Sequence, residues 1–279
     1  MAHPDTNNIR ISPAIPAIVF FFICILFLLF GEYNHRMPKV TMMDIGKKIL
    51  ITGGARRLGR ILAETLAARG VSLAIHYRSS SEEANDLKRQ LAARGTTAHL
   101  IQADLTSPAA CEDVLTQSIQ LLGGLDVLIN NAATFHSDIL LDMDIEQAQK
   151  QMMLNCWAPL LLARCFAQQC PGGKIIHILD QRIARHDGRH LSYTLSKKAL
   201  AESVGMLALE LAPNFTVNAV APGAVLPPDE RSETREKAGA TPMDSAGTPE
   251  EVAQAVAFLL DAESVTGQII YVDGGQHLL

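Results

Sequence analysis

Three absences narrow what this 279-residue chain can do. No block of basic residues follows the amino-terminal stretch, and the formal net charge is −5 at pH 7. Nothing therefore argues for a nucleic-acid partner. The five cysteines, Cys24, Cys111, Cys156, Cys165 and Cys170, form no CxxC pair and have no companion histidine spacing. A reduced cytosolic interior without a metal site is the expectation. No repeat or low-complexity segment stands out. What remains is 48% hydrophobic and 19% charged, enough to bury the core of one globular domain behind an N-terminal extension.

The extension has one long apolar run. Residues 14–30, from Ala14 through Phe20-Phe21-Phe22 to Phe30, are interrupted only by Pro16. As a helix the run would rise roughly 26 Å, just enough for a bilayer core. No small-x-small cleavage site precedes Gly31, which favours an uncleaved anchor over a signal peptide. Arg36, Lys39, Lys47 and Lys48 follow the run and only Arg10 precedes it, so an inserted segment leaves the large domain in the cytoplasm. A second reading starts translation at Met37, Met42 or Met43 and gives the extension no role. Either way the expectation is an extension over 1–43, a catalytic domain over 44–279 and a cytoplasmic location, membrane-anchored only if residues 14–30 insert.

The domain is organised around Lys48-Ile-Leu-Ile-Thr-Gly-Gly-Ala-Arg-Arg-Leu-Gly59. Ile49 to Ile51 are too few for a helix and stop at Thr52-Gly53-Gly54, which reads as a buried strand entering a tight turn. From Arg57, the spacing of Leu58, Ile61, Leu62, Leu66 and Ala67 predicts an amphipathic helix ending at Gly70. Strand, glycine turn and helix N-terminus make an anion site. Gly53, Gly54 and Gly59 supply the glycines, while Arg57 stands where a middle glycine is expected.

Strands and helices then alternate. Strands are expected at Val71–Tyr77, Ala98–Gln102, Leu125–Ile129, Lys174–Leu179, Thr216–Val220 and Gln268–Val272. Helices are expected at Ser81–Ala93 with Ser81 as N-cap, Pro108–Leu121, about Ile145–Gln168, Leu191–Leu211 and Pro249–Leu260. The pattern predicts an α/β fold, a doubly wound parallel sheet of Rossmann type with helices on both faces. Ligands in such folds sit beyond the carboxyl ends of the strands. Val225–Gly247, rich in Pro, Glu and Arg, reads as a mobile loop over that end.

The second strand ends in His76-Tyr77-Arg78-Ser79-Ser80, with no acid before Glu82. Arg78 can fork onto a 2′-phosphate with Ser79 and Ser80 beside it, and Arg57 adds charge, so the cofactor reads as NADPH. Tyr193-Thr-Leu-Ser-Lys197 puts a phenol and an ammonium one helical turn apart. A phenol of pKa about 10 is a poor acid at neutral pH, and a nearby cation stabilises its phenolate. The strand end Asp180 is expected beside it.

From Lys47 to the C-terminus these pieces, in this order, resemble the short-chain dehydrogenase/reductase family: Thr52-Gly53 to Gly59, Asp104-Leu105, Asn130-Asn131-Ala132, Asn155, Tyr193 with Lys197, and Pro222-Gly223. The resemblance implies that Asp104 contacts adenine, Asn131 supports the cofactor backbone, Lys197 holds the nicotinamide ribose, Asn155 anchors a water in a proton relay, and Pro222-Gly223 borders the carboxamide. It also implies a homodimer or homotetramer through the helices after Asn131 and around Tyr193. Two departures, Asp180 in place of the usual serine and Arg57 in place of a glycine, together with Phe135 and the His76–Ser79 stretch, are similar to pteridine and dihydromonapterin reductases. In that subgroup the aromatic at Phe135 sandwiches the pterin against the nicotinamide, and Arg57 touches both pyrophosphate and pterin.

The expected reaction is hydride transfer from NADPH to a C=N carbon of a dihydropterin, with the nitrogen protonated through Tyr193, Asp180 or a bound water. Plainer readings make Phe135 loop packing and Asp180 a strand-end cap, and leave His186, His190 and His277 unassigned. Competing functions are a carbonyl or quinone reductase and a non-catalytic NADPH sensor; intact Tyr193, Lys197 and Asn155 argue against the sensor.

Overall fold

Short aliphatic runs become strands because both of their faces can be buried at once. The computed structural model describes residues 46–186, 188–226 and 241–279. The apolar run 14–30, the alternative starts and residues 227–240 of the expected loop lie outside the described residues. Seven strands are present: β1 (Lys48–Ile51), β2 (Ser72–Tyr77), β3 (Ala98–Gln102), β4 (Val127–Asn130), β5 (Gly173–Ile178), β6 (Phe215–Pro222) and β7 (Ile269–Val272). They form one parallel sheet ordered β3-β2-β1-β4-β5-β6-β7.

Side chains of β1 alternate between the two faces. Ile49 and Ile51 enter one core with Leu62 and Leu66 of α1 (Arg57–Ala67), Leu87 of α2 (Ser81–Ala93) and Val256 of α7 (Pro249–Asp261). Leu50 enters the other with Leu115 of α3 (Pro108–Leu122), Leu162 and Phe166 of α5 (Ala158–Gln169), and Ala208 of α6 (Leu191–Leu211). Burying each such Leu or Ile contributes about 1.5–3 kcal/mol, which holds helices on both faces of the sheet. One face of α6 carries exposed Leu195, Met206 and Leu209. This is the helix through which the family resemblance expects an oligomer. Among the described residues no helix is long and apolar enough to cross a membrane.

Two local expectations are corrected. The single helix expected over 145–168 is α4 (Ile145–Met152), a π turn (Met153–Trp157) and α5. Pro159 has no N–H to continue the ladder, and the chain takes up one extra residue where the Ala158 N–H bonds to the Met153 carbonyl. Ser81 is not the cap of α2: Ser80 holds that position, and its side chain makes no capping hydrogen bond.

Candidate active site

The order of strands reverses between β1 and β4, so the connections leave in opposite directions and open a crevice at their carboxyl ends. The glycine turn follows β1 there. Gly53 has φ 62°, and Arg57 itself adopts φ 49°, the left-handed conformation a glycine would take without cost. A Cβ on Gly59 would lie 2.2 Å from the Gly53 carbonyl oxygen, so only glycine lets α1 pack on the turn. No side chain caps α1, which leaves its first-turn N–H groups and dipole facing the crevice.

The turn is tied down from two sides. The Thr52 hydroxyl accepts from the N–H groups of Asn131 and Ala132, both at 3.0 Å, and Asn131 Nδ2 donates to the carbonyls of Thr52 and Gly53, also at 3.0 Å. On the other side Gly53 N–H donates to His76 Nδ1 at 3.2 Å, while His76 Nε2 pairs with the Ala103 carbonyl at 3.1 Å. These partners assign the proton to Nε2. Burial pushes the His76 pKa down to about 4, so this histidine is a neutral strut and adds no charge to the glycine turn. Asp104 accepts from Thr106 N–H at 3.0 Å and from its hydroxyl at 2.8 Å, and the backbone bond is the chief reason its pKa is lowered.

A cleft of about 370 Å³ occupies the crevice. Of the residues expected at the cofactor, Gly53, Arg57, Leu58, Gly59, Arg78, Ser79, Asp104, Leu105, Asn131 and Ala132 line it. Tyr77 does not, since alternation along β2 turns it away when His76 faces in. Pro222 and Gly223 sit at the end of β6, beside the strand that leads to Asp180, where Gly223 N–H bonds to Val272 at 2.9 Å. A larger cavity of about 540 Å³ lies at the amino ends of β1, β4, β5 and β6. Its Lys174 is already bonded to the Ala262 carbonyl at 2.7 Å and paired with Glu263 at 3.2 Å, and no reactive constellation faces it.

The chemical half lies beyond β5. The Tyr193 hydroxyl donates to Asp180 Oδ2 at 2.8 Å. Arg182 holds the same carboxylate, its N–H at 2.8 Å from Oδ1 and its Nη1 at 3.3 Å from Oδ2. Phe135 meets Tyr193 edge-on with ring centroids 4.6 Å apart. His190 stacks on Phe135 at 4.6 Å, and the Arg182 guanidinium lies over its ring at 5.2 Å.

The expectation that Lys197 makes the phenol more acidic is not met. Burial, then the charge of Asp180 and its hydrogen bond, hold the Tyr193 pKa well above its ordinary value. Lys197 instead donates to the Ile178 carbonyl at 2.8 Å, and burial pushes its own pKa down to about 8 against the pull of Asp180 and Cys156. Asn155, in the π turn, bonds the Thr134 backbone through both Oδ1 and Nδ2 at 2.9 Å, and Ser196 through Nδ2 at 3.1 Å. Its side chain is a splint between the loop after β4 and α6.

Sequence reasoning missed several participants. Arg182 lies two residues past Asp180 and carries no motif. His190 was left unassigned because only the tertiary fold brings it to Phe135. Arg56, Thr134 and Leu154 also line the cleft. His277, likewise unassigned, stacks on Tyr271 at 4.0 Å and bonds Asp273 Oδ2 at 2.9 Å.

This combination of a doubly wound sheet, an uncapped glycine-turn helix and a Tyr-x-x-x-Lys pair on α6 defines a Rossmann-type reductase. Residues 53–277 match the family model described as enoyl-(acyl carrier protein) reductase, and the chain belongs to the short-chain dehydrogenase/reductase family. It is 34% identical to the uncharacterized oxidoreductase YmfI of Bacillus subtilis, over 84% of this chain and 100% of that protein. It is 31% identical to the 3-oxoacyl-(acyl-carrier-protein) reductase FabG of Aquifex aeolicus, over 82% of this chain and 97% of that one. Among solved structures, FolM alternative dihydrofolate reductase 1 from Brucella canis, complexed with NADP, matches with a TM-score of 0.79 and 32% identity, covering 85% of this chain and 96% of that chain.

Proposed function

We propose that the protein reduces a dihydropterin with NADPH. The observation that carries this reading is the carboxylate of Asp180 against the Tyr193 hydroxyl, at the position where a reductase of ketones would place a hydroxyl donor. A carboxylate accepts N–H groups and repels a carbonyl oxygen, so it suits a nitrogen heterocycle better than a ketone. The likeness to FolM alternative dihydrofolate reductase supports the same substrate class.

The cleft fits the cofactor. Arg78, Ser79 and Ser80 offer a phosphate the fork and hydroxyls of an NADP site, and the α1 N-terminus with Arg57 suits the pyrophosphate. Asp104 stands at the adenine end. NADPH held there would supply a hydride to the carbon of a substrate C=N bond. Lys197, held by the Ile178 carbonyl, would hold the nicotinamide ribose beside Tyr193. The Tyr193–Asp180 pair shares one proton across its hydrogen bond; the substrate nitrogen takes one proton through this pair, which is reprotonated from solvent, so that the C=N bond gains one hydride and one proton. Phe135 would offer the ring a face to stack on.

The test follows NADPH oxidation with dihydromonapterin, dihydrobiopterin, dihydrofolate and a panel of ketones. Turnover of a dihydropterin is expected, lost by about 100-fold or more in Tyr193→Phe. Ketone turnover alone would replace this reading with a general carbonyl reductase, and full pterin turnover by Asp180→Ser would remove the role given to Asp180.

A further inference from the structure

Phe135 and Asp180, two of the residues that the pterin reading gives to the substrate, already share an occupant from within the chain. The Arg182 guanidinium lies over the Phe135 ring at 5.2 Å, and its Nη1 donates to both Asp180 oxygens, at 3.4 and 3.3 Å. A guanidinium is flat and edged with N–H groups that match a carboxylate. The aminopyrimidinone half of a pterin is built on the same N–C–N unit: a flat π face with amino and ring N–H donors side by side on one edge. Both groups use the same acceptor and the same aromatic surface.

We propose that Arg182 occupies the substrate's seat and is a displaceable, specificity-determining competitor for it. This deepens the dihydropterin reading and rests on it. The substrate class is thereby narrowed to flat heterocycles with a guanidine-like N–H edge, because only such a ring returns to Asp180 the N–H bonds that Arg182 gives up. A ketone lacking that edge would leave the carboxylate, 16% exposed, without its cationic partner, which is costly for a largely buried charge.

The geometry also says which neighbour moves. His190 and Tyr193 flank Phe135 too, but they are 3% and 6% exposed at the start of α6. Arg182 projects on a long side chain from the short 3₁₀ turn Gln181–Ala184. Its backbone N–H remains on Asp180 Oδ1 at 2.8 Å, so the carboxylate stays aimed when the guanidinium leaves.

The test measures binding of 2,4-diaminopyrimidine to the NADPH-saturated protein by calorimetry, with the KM for dihydropterin beside it. Arg182→Met is expected to bind the probe about tenfold more tightly and to lower KM by a similar factor. Arg182→Lys, which keeps the charge but not the plane, falls between wild type and Arg182→Met and controls for folding. Methylguanidinium should compete with the probe in Arg182→Ala and much less in wild type. Unchanged or weaker probe binding in Arg182→Met overturns the proposal. A wild type that reduces no dihydropterin overturns the proposed function, while the probe comparison still decides the role of Arg182.

Discussion

Arg57 carries two opposed effects in one residue. Its left-handed backbone costs on the order of 1 kcal/mol for a side chain with a Cβ, yet it lines the cleft beside the N-terminus of α1. Arg57→Gly is expected to hold stability level or raise it by up to about 1 kcal/mol, while the KM for NADPH rises roughly tenfold as a charge-assisted contact is lost. Arg57→Ala loses the same contact and keeps the strain. Its melting temperature should lie below that of the glycine variant, and equal melting of the two would remove the strain argument. The identity of Arg57 was legible in the sequence as a departure from a glycine pattern. That the backbone would keep the glycine's conformation was not, because φ is set by the packing of α1 on the turn. Tyr193 teaches the reverse lesson: its spacing to Lys197 was readable, but its pKa is governed by Asp180, which approaches from another element.

At the scale of elements, α6 depends on a cap that its own sequence does not supply. His190 at the N-cap bonds no first-turn N–H. Asp138, more than fifty residues earlier, accepts from Ser192 N–H at 3.1 Å and from the Ser192 hydroxyl, while Gln151 of α4 donates to that hydroxyl at 2.6 Å. The loop that carries Phe135 is thereby stapled to the helix that carries Tyr193. Asp138→Ala should cost about 1–2 kcal/mol, and kcat should fall while the KM for NADPH holds. Asp138→Asn, which keeps an acceptor, should restore most of both. Thermal unfolding together with steady-state kinetics reads the two, and a variant with normal melting and turnover would leave Asp138 with no part in positioning. Nothing local in the sequence marks this cap. By contrast, the capping box of α7, Thr248 with Glu251, is a local pattern and is formed as such.

At the scale of the molecule, two histidines inside the sheet make stability sensitive to acid. Burial lowers His76 to about 4 and His177 to about 3, from an ordinary value near 6.5. Between those values and 6.5 the unfolded chain binds protons that the folded chain refuses, so stability falls as pH falls through that window and is fully present above it. At pH 5 the two groups together should cost on the order of 3–4 kcal/mol relative to pH 7.5. Urea unfolding at both pH values measures the loss, and His177→Asn should flatten the dependence. Equal stability at the two values would show that neither histidine is held neutral by the fold.

The sequence by itself determined the parallel sheet and the glycine turn, because these follow from short-range rules: apolar period and turn chemistry. It also singled out Tyr193, Lys197 and Asp180 as candidates. Tertiary structure alone decided what those groups meet. The break at the π turn, the neutral state of His76, the remote cap on α6 and the Arg182 guanidinium between Phe135 and Asp180 all depend on contacts between elements far apart in the chain. Such contacts are set by packing, which no local pattern of residues encodes.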